Sequence, residues 1–227
     1  QLTIAFNGPA TQNVAKGQNG VVLYRFAMTS QSSQLEVRKM YVAVGSTDGG
    51  VVCGSPCADN EYIKNVRVRD AATGQTVQGP TSASGGSVAA DRSTTTITFT
   101  NSVYLNPGQT RNFEVVADLA TSGSGFVDKS FVVTLNTFAS NDIRVVDTGE
   151  YLATASIVPG SAILGNVMTV KASSLSVGLA STPSSATVVK KRAMVPALGV
   201  SFQAGAQSDV LVTAVKVTGQ SKFDSGS

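Results

Sequence analysis

Glu114 and Asp118 are the side chains whose spacing best suits acid–base chemistry, because the alternating run from Asn112 to Leu119 sets both on one face of a strand. Two carboxylates on one face are the device of glycoside hydrolysis, with one group protonated and the other ionised. Phe113, Val115, Ala117 and Leu119 claim the opposite, core face. Glu114, Val116 and Asp118 are therefore predicted to face solvent, where carboxyls keep their ordinary pKa and serve neither as a general acid nor as a buried base. No catalytic residue is assigned, and the chain is read as a non-enzyme.

The remaining chemistry is narrow. The sequence has no histidine, which removes Ser-His-Asp and Cys-His arrangements and any imidazole metal site. Cys53 and Cys57 lie in a Gly-rich stretch with no other thiol or imidazole to complete a metal tetrahedron, so a disulfide and an oxidising compartment are predicted. So short a ring rigidifies a loop tip more than it holds a fold. Asp48, Asp59, Asn60 and Glu61 bracket that loop and are weak Ca²⁺ candidates, as are Asp147 and Glu150 in one turn. Their spacing matches no EF-hand loop, and Asp and Asn are ordinary turn residues, so no metal or cofactor is assigned. Lys64, Arg67 and Arg69, with a second cluster at Lys190, Lys191 and Arg192, form no continuous stripe flanked by aromatics, and nucleic acid is excluded as a partner. Arg67 and Arg69 alternate with Val66 and Val68, the pattern of a solvated strand face. The net charge of +3 gives no reason to expect a polyanion.

The elements that carry these residues are strands. Charged residues make up 14% of the chain, against about 25% in an average globular protein, and Val, Thr, Gly and Ser take their place. That composition suits pleated, half-buried strands and tight turns. Ile97 and Phe99 alternate with threonines, and Phe131, Val133 and Leu135 alternate with Val132, Thr134 and Asn136. Turn signals separate the runs at Ala72–Gly74, Asn106–Gly108, Asp147–Gly149 and Pro159–Gly160. Short alternating strands so punctuated predict an all-β, antiparallel sandwich with Phe26, Phe99, Phe113, Val115, Phe131 and Val133 inside. Gly45–Asn60 and Gly79–Ser93 are predicted to be exposed loops. The uncharged stretch Tyr151–Val170 is too rich in Ser, Thr, Gly and Pro to span a bilayer, and no transmembrane segment is assigned. A basic n-region followed by an apolar h-region is absent as well.

The two ends of the chain repeat one another. Leu2–Phe6 matches Leu175–Leu179, Val14–Lys16 matches Val188–Lys190, and Val22–Met28 matches Leu198–Ala204. Leu35–Val42 then matches Val210–Val217, with indels only in polar connections. This predicts a complete module over 1–170 and the start of a second over 171–227, with strands at Leu175–Leu179, Leu198–Ala204 and Val210–Val217. The second lacks later strands, so it is expected to belong to a longer chain or to be completed by a neighbouring copy through strand addition at 175–217.

Leu2–Phe6, the Asn65–Gly74 strand and turn, and Leu105–Asp118 resemble in their order the large immunoglobulin-like modules that occur in tandem in bacterial cell-surface proteins: surface-layer, filament and adhesin proteins. The resemblance implies secretion, an extracellular or cell-surface location and a structural role, with no catalytic residues to carry over. A surface adhesin or carbohydrate-binding module is the alternative, using the Gly45–Asn60 loop. The chain has no Trp and Tyr62 alone near that loop, a poor aromatic platform for glycans.

Overall fold

The computed structural model describes residues 1–48, 51–52, 63–81, 94–121, 127–184, 191, 193–205 and 210–219, with the backbone alone at 46–48, 51–52 and 94–95. The fold is all-β, and the chain divides into two compact units, Gln1–Ala172 and Ser173–Ser227. No helix among the described residues is long and apolar enough to cross a membrane.

In the first unit the strands are β1 (Leu2–Gly8), β2 (Gln12–Ala15), β3 (Val21–Ser30), β4 (Leu35–Val37), β5 (Met40–Asp48), β6 (Val51–Val52), β7 (Ile63–Asp70) and β8 (Thr76–Thr81). They continue as β9 (Thr94–Phe99), β10 (Val103–Leu105), β11 (Thr110–Leu119), β12 (Ser130–Leu135), β13 (Ile143–Val145), β14 (Ile157–Val158), β15 (Ile163–Leu164) and β16 (Met168–Lys171). One sheet has the order β14-β1-β3-β11-β7-β8. A second has the order β2-β16-β12-β5-β6, with β15 also on β12 and β9 also on β5. A small third sheet, β10-β4-β13, completes the unit. Two pairings, β1 with β14 and β16 with β2, are parallel, so the sandwich is mixed rather than purely antiparallel. Both bring a strand from late in the unit beside one from its start, which no hairpin connection can do.

The alternation read from the sequence builds one core. Phe26, Phe99, Phe113, Val115, Phe131 and Val133 are all buried in a single cluster with Leu2, Ile4, Met28 and Met168. Phe6, Tyr24, Phe26 and Phe113 form a chain of tilted rings with centroids 5.0, 5.8 and 5.4 Å apart. The Tyr24 hydroxyl donates to the Ile163 carbonyl at 3.0 Å, tying the first sheet to the second. Burial pushes that phenol's pKa far up. Space for the ring exists because residue 165 is glycine; a Cβ there would stand 2.7 Å from Tyr24 Cδ2 and 2.7 Å from the Val133 carbonyl oxygen.

Among the irregularities in register, two interrupt the alternation of the central strands. Val115 faces Tyr24 and Val116 faces Val22, so Leu23 is an extra residue on β3, and Leu23 and Tyr24 are both fully buried. Val116 faces Arg67 and Asp118 faces Lys64, which leaves an extra residue on β7 next to Asn65, whose φ is 51°. Asparagine tolerates this left-handed region better than most residues. The stretches expected as loops are partly strand: β5 extends to Asp48, β6 covers Val51–Val52 and β8 extends to Thr81, and their remainders lie outside the described residues.

The second unit contains β17 (Leu175–Leu179) and β18 (Val200–Ala204), paired antiparallel. Val210–Val217, expected as a strand, has no strand pairing among the described residues, and Leu211–Val217 are exposed. Its matched segments in the first unit are β4 and β5, which are held by β9, β10, β12 and β13. No such strands stand beside 210–217 among the described residues, and an unpaired segment does not hold strand geometry alone.

Candidate functional site

The outer face of the first sheet carries a ladder of charge across its three central strands. Glu114 on β11 faces Arg25 on β3 and Arg69 on β7 in direct register. Arg25 Nε donates to Glu114 Oε1 at 2.8 Å, and Arg69 Nε donates to Oε2 at 2.7 Å. The Glu114 side chain is 9% exposed, so the expectation of a solvated carboxyl fails. Burial pushes its pKa up, but the hydrogen bonds and charges of Arg69 and Arg25 outweigh this and hold it below the usual carboxylate range. Val116, also expected outside, is fully buried on this face. Arg67 and Arg69, read from alternation as solvated, are half-buried and paired instead. The cause is shared: directly opposed side chains on three adjacent strands cover one another.

Two further clamps flank the ladder. Asp70 accepts from Arg111 Nε at 3.0 Å and Nη2 at 2.6 Å through Oδ2, and from the Ala72 and Thr73 amides through Oδ1. Asp118 accepts from the Gly20 amide at 2.8 Å and Asn65 Nδ2 at 2.8 Å, with Arg67 at 3.4 Å. For both, burial raises the pKa and these donors more than reverse it. Glu36 on β4 has its pKa lowered by the Ser102 hydroxyl and, against the opposing effect of burial, by Arg144 and Arg38. Arg144 Nε lies 2.9 Å from its Oε2.

Glu114 and Asp118 thus share a strand without forming an acid–base pair, since each belongs to a separate set of donors. Held ionised and with their oxygens already accepting, they are poor proton donors and poor nucleophiles. Sequence reasoning missed Arg25, Glu36, Asp70, Arg111 and Arg144, because each depends on a partner 41 to 108 residues away. It also missed Gln78, fully buried on β8, whose side chain receives the Asn101 amide at 2.8 Å and donates to the Asn101 carbonyl, as a backbone strand would.

The other candidates divide simply. Cys53, Cys57, Asp59, Asn60, Glu61 and Tyr62 lie outside the described residues, as do Lys190, Arg192 and the side chain of Asp48. Asp147 and Glu150 are exposed, and no group of three metal-ligating side chains occurs among the described residues. Lys191 is exposed with a φ of 65°. A half-open recess lined in part by Ile4, Phe138, Ile157 and Ile163 has a volume of ≈ 30 Å³, enough for water but not for an organic substrate.

The hairpin of the second unit is chemically different. Leu175, Val177 and Leu179 face Ala204, Phe202 and Val200 on one side, and Ser176 and Gly178 face Gln203 and Ser201 on the other. The apolar side is open: Val177 is 58% exposed, Leu179 81% and Phe202 43%. Neither strand carries a charge or a proline. The first sheet, by contrast, ends in β14, followed by Pro159, and β8, which contains Pro80.

No family model and no curated protein matches the chain. Among solved structures it is similar to one described as "AvmM Catalyzes Macrocyclization in Alchivemycin A Biosynthesis", at 12% identity and a TM-score of 0.37. The alignment covers 75% of this chain and 88% of that one. A likeness of that size carries no inference about activity or ligand.

Proposed function

We propose that the chain is a secreted structural protein that builds a bacterial cell-surface layer or extracellular filament from β-sandwich modules. The observation that carries this reading is the β17–β18 hairpin, an uncharged two-stranded sheet with an unpacked apolar side. Two strands alone are marginal in water, and unguarded edges are templates for further strands. Strand addition from another copy pairs those edges and covers the apolar side, and repeated head-to-tail contacts of this kind make filaments or lattices.

The first unit supports the same reading. Glu36, Asp70, Glu114 and Asp118 are taken up in clamps to partners distant in the chain, and the first sheet ends in one strand that contains a proline and one that a proline follows, as suits a rigid block that joins neighbours only where intended. Electron microscopy of the purified protein at increasing concentration tests the proposal. Ordered fibres or sheets that disappear on Phe202→Asp support it, and persistent single particles overturn it.

A further inference from the structure

The turn that leads into β3 contains the dipeptide Asn19–Gly20, with Asn19 exposed. In an Asn–Gly pair the glycine nitrogen can attack the asparagine Cγ. The N–Cγ bond forms as the amide proton passes to solvent hydroxide, water returns a proton to the side-chain nitrogen, the Cγ–N bond breaks and ammonia leaves, and a further water then opens the cyclic imide to aspartate or isoaspartate. A glycine at the second position leaves this approach sterically open. Ring closure requires the peptide unit between the two residues to rotate until its nitrogen faces the side chain.

That rotation is opposed at several points. The Gly20 amide donates to Asp118 Oδ1 at 2.8 Å, and Gly20 sits at a φ of 68°. The preceding Gln18 carbonyl accepts from the Leu119 amide at 2.8 Å, and the Gly17 amide donates to the Ala120 carbonyl at 3.1 Å. Asp118 is itself fixed by Asn65 and Arg67. Hydrogen bonds to an ionised acceptor are the strong ones, and this one must break before the nitrogen can attack.

We propose that Asn19–Gly20 is a latent self-modification site that the Asp118 carboxylate holds closed. Loss of the clamp releases the reaction, and the product places a second carboxylate beside Asp118 in the groove lined by Lys64, Asn65 and Arg67. The chain supplies its own reference in Asn7–Gly8, where among the described residues no carboxylate is bonded to the glycine amide; Asn7 Nδ2 donates to Asn112 Oδ1 at 3.2 Å.

The test is peptide mapping by mass spectrometry during incubation of the 227-residue chain at mildly alkaline pH, native and in denaturant. Asn19 in the native protein is expected to deamidate about ten-fold or more slowly than in the denatured chain, the factor that about 1.4 kcal/mol of barrier provides. Asp118→Ala is expected to restore most of that rate while the rate at Asn7 stays unchanged. The proposal is overturned if native Asn19 reacts as fast as in denaturant, if Asp118→Ala leaves its rate unchanged, or if the variant accelerates Asn19 and Asn7 alike, which marks general loosening.

Discussion

Replacing Glu114 by glutamine keeps the shape of the side chain and removes its charge, which isolates the electrostatic part of the ladder. The carboxylate is 9% exposed and accepts two charge-assisted hydrogen bonds, at 2.8 and 2.7 Å. Each such bond contributes about 1.5 to 3 kcal/mol when shielded from water. Arg25 and Arg69 are 47% and 33% exposed, so solvent screens them and neither is stranded when the charge goes. The expected loss for Glu114→Gln at neutral pH is therefore about 2 kcal/mol, well below the sum of the two bonds.

The dependence on pH distinguishes this cause from a packing defect. The folded pKa of Glu114 is depressed, so its stabilisation is complete above the unfolded value of about 4.3 and is lost as pH falls through the folded pKa. Once protonated, the native side chain is a neutral isostere of glutamine, and the two proteins converge in stability. Urea unfolding at a series of pH values measures the gap. A difference below about 0.5 kcal/mol at neutral pH, or one that stays constant down to about pH 3, refutes the argument.

Phe113→Ala removes a fully buried ring that stacks on Phe26 and is expected to cost about 3 to 5 kcal/mol in urea unfolding. Tyr24→Phe leaves the Ile163 carbonyl without its donor and is expected to cost about 1 kcal/mol, while Gly165→Ala forces a methyl against Tyr24 and the Val133 carbonyl and is expected to cost more, both read as shifts in the thermal midpoint. Cys53 and Cys57 are expected to resist alkylation until reduced in protein isolated without reductant, because secretion exposes them to an oxidising compartment; two thiols that alkylate at once remove this argument for secretion.

Period and turn chemistry made the fold class legible. Phe99, Phe113, Phe131 and Val133 stand inside because alternation fixes the face of each strand. Gly74, Gly108 and Gly149 occupy left-handed positions at turns marked by their neighbours. The burial of Glu114 and Val116 was not legible, since alternation identifies the outward face without showing what lies across it. Arg25, Glu114 and Arg69 meet only because β3, β11 and β7 are neighbours, an order that no local pattern encodes. The bulge at Asn65 escaped for a similar reason: a single asparagine within a strand gives no sign of the extra residue that turns its side chain towards Asp118. In the second unit, strand propensity at Val210–Val217 has no paired strand among the described residues, and propensity without pairing does not make a strand.

The most direct test of the structural reading is amide hydrogen exchange across 175–217 combined with mass measurement, on the 227-residue chain over a wide range of concentration. The expected result is a mass that grows with concentration, together with protection at Leu175–Leu179 and Val200–Ala204 that emerges only as copies assemble. A monomer at every concentration, with strong protection of these strands even when dilute, contradicts it, because the hairpin would then be satisfied within its own chain.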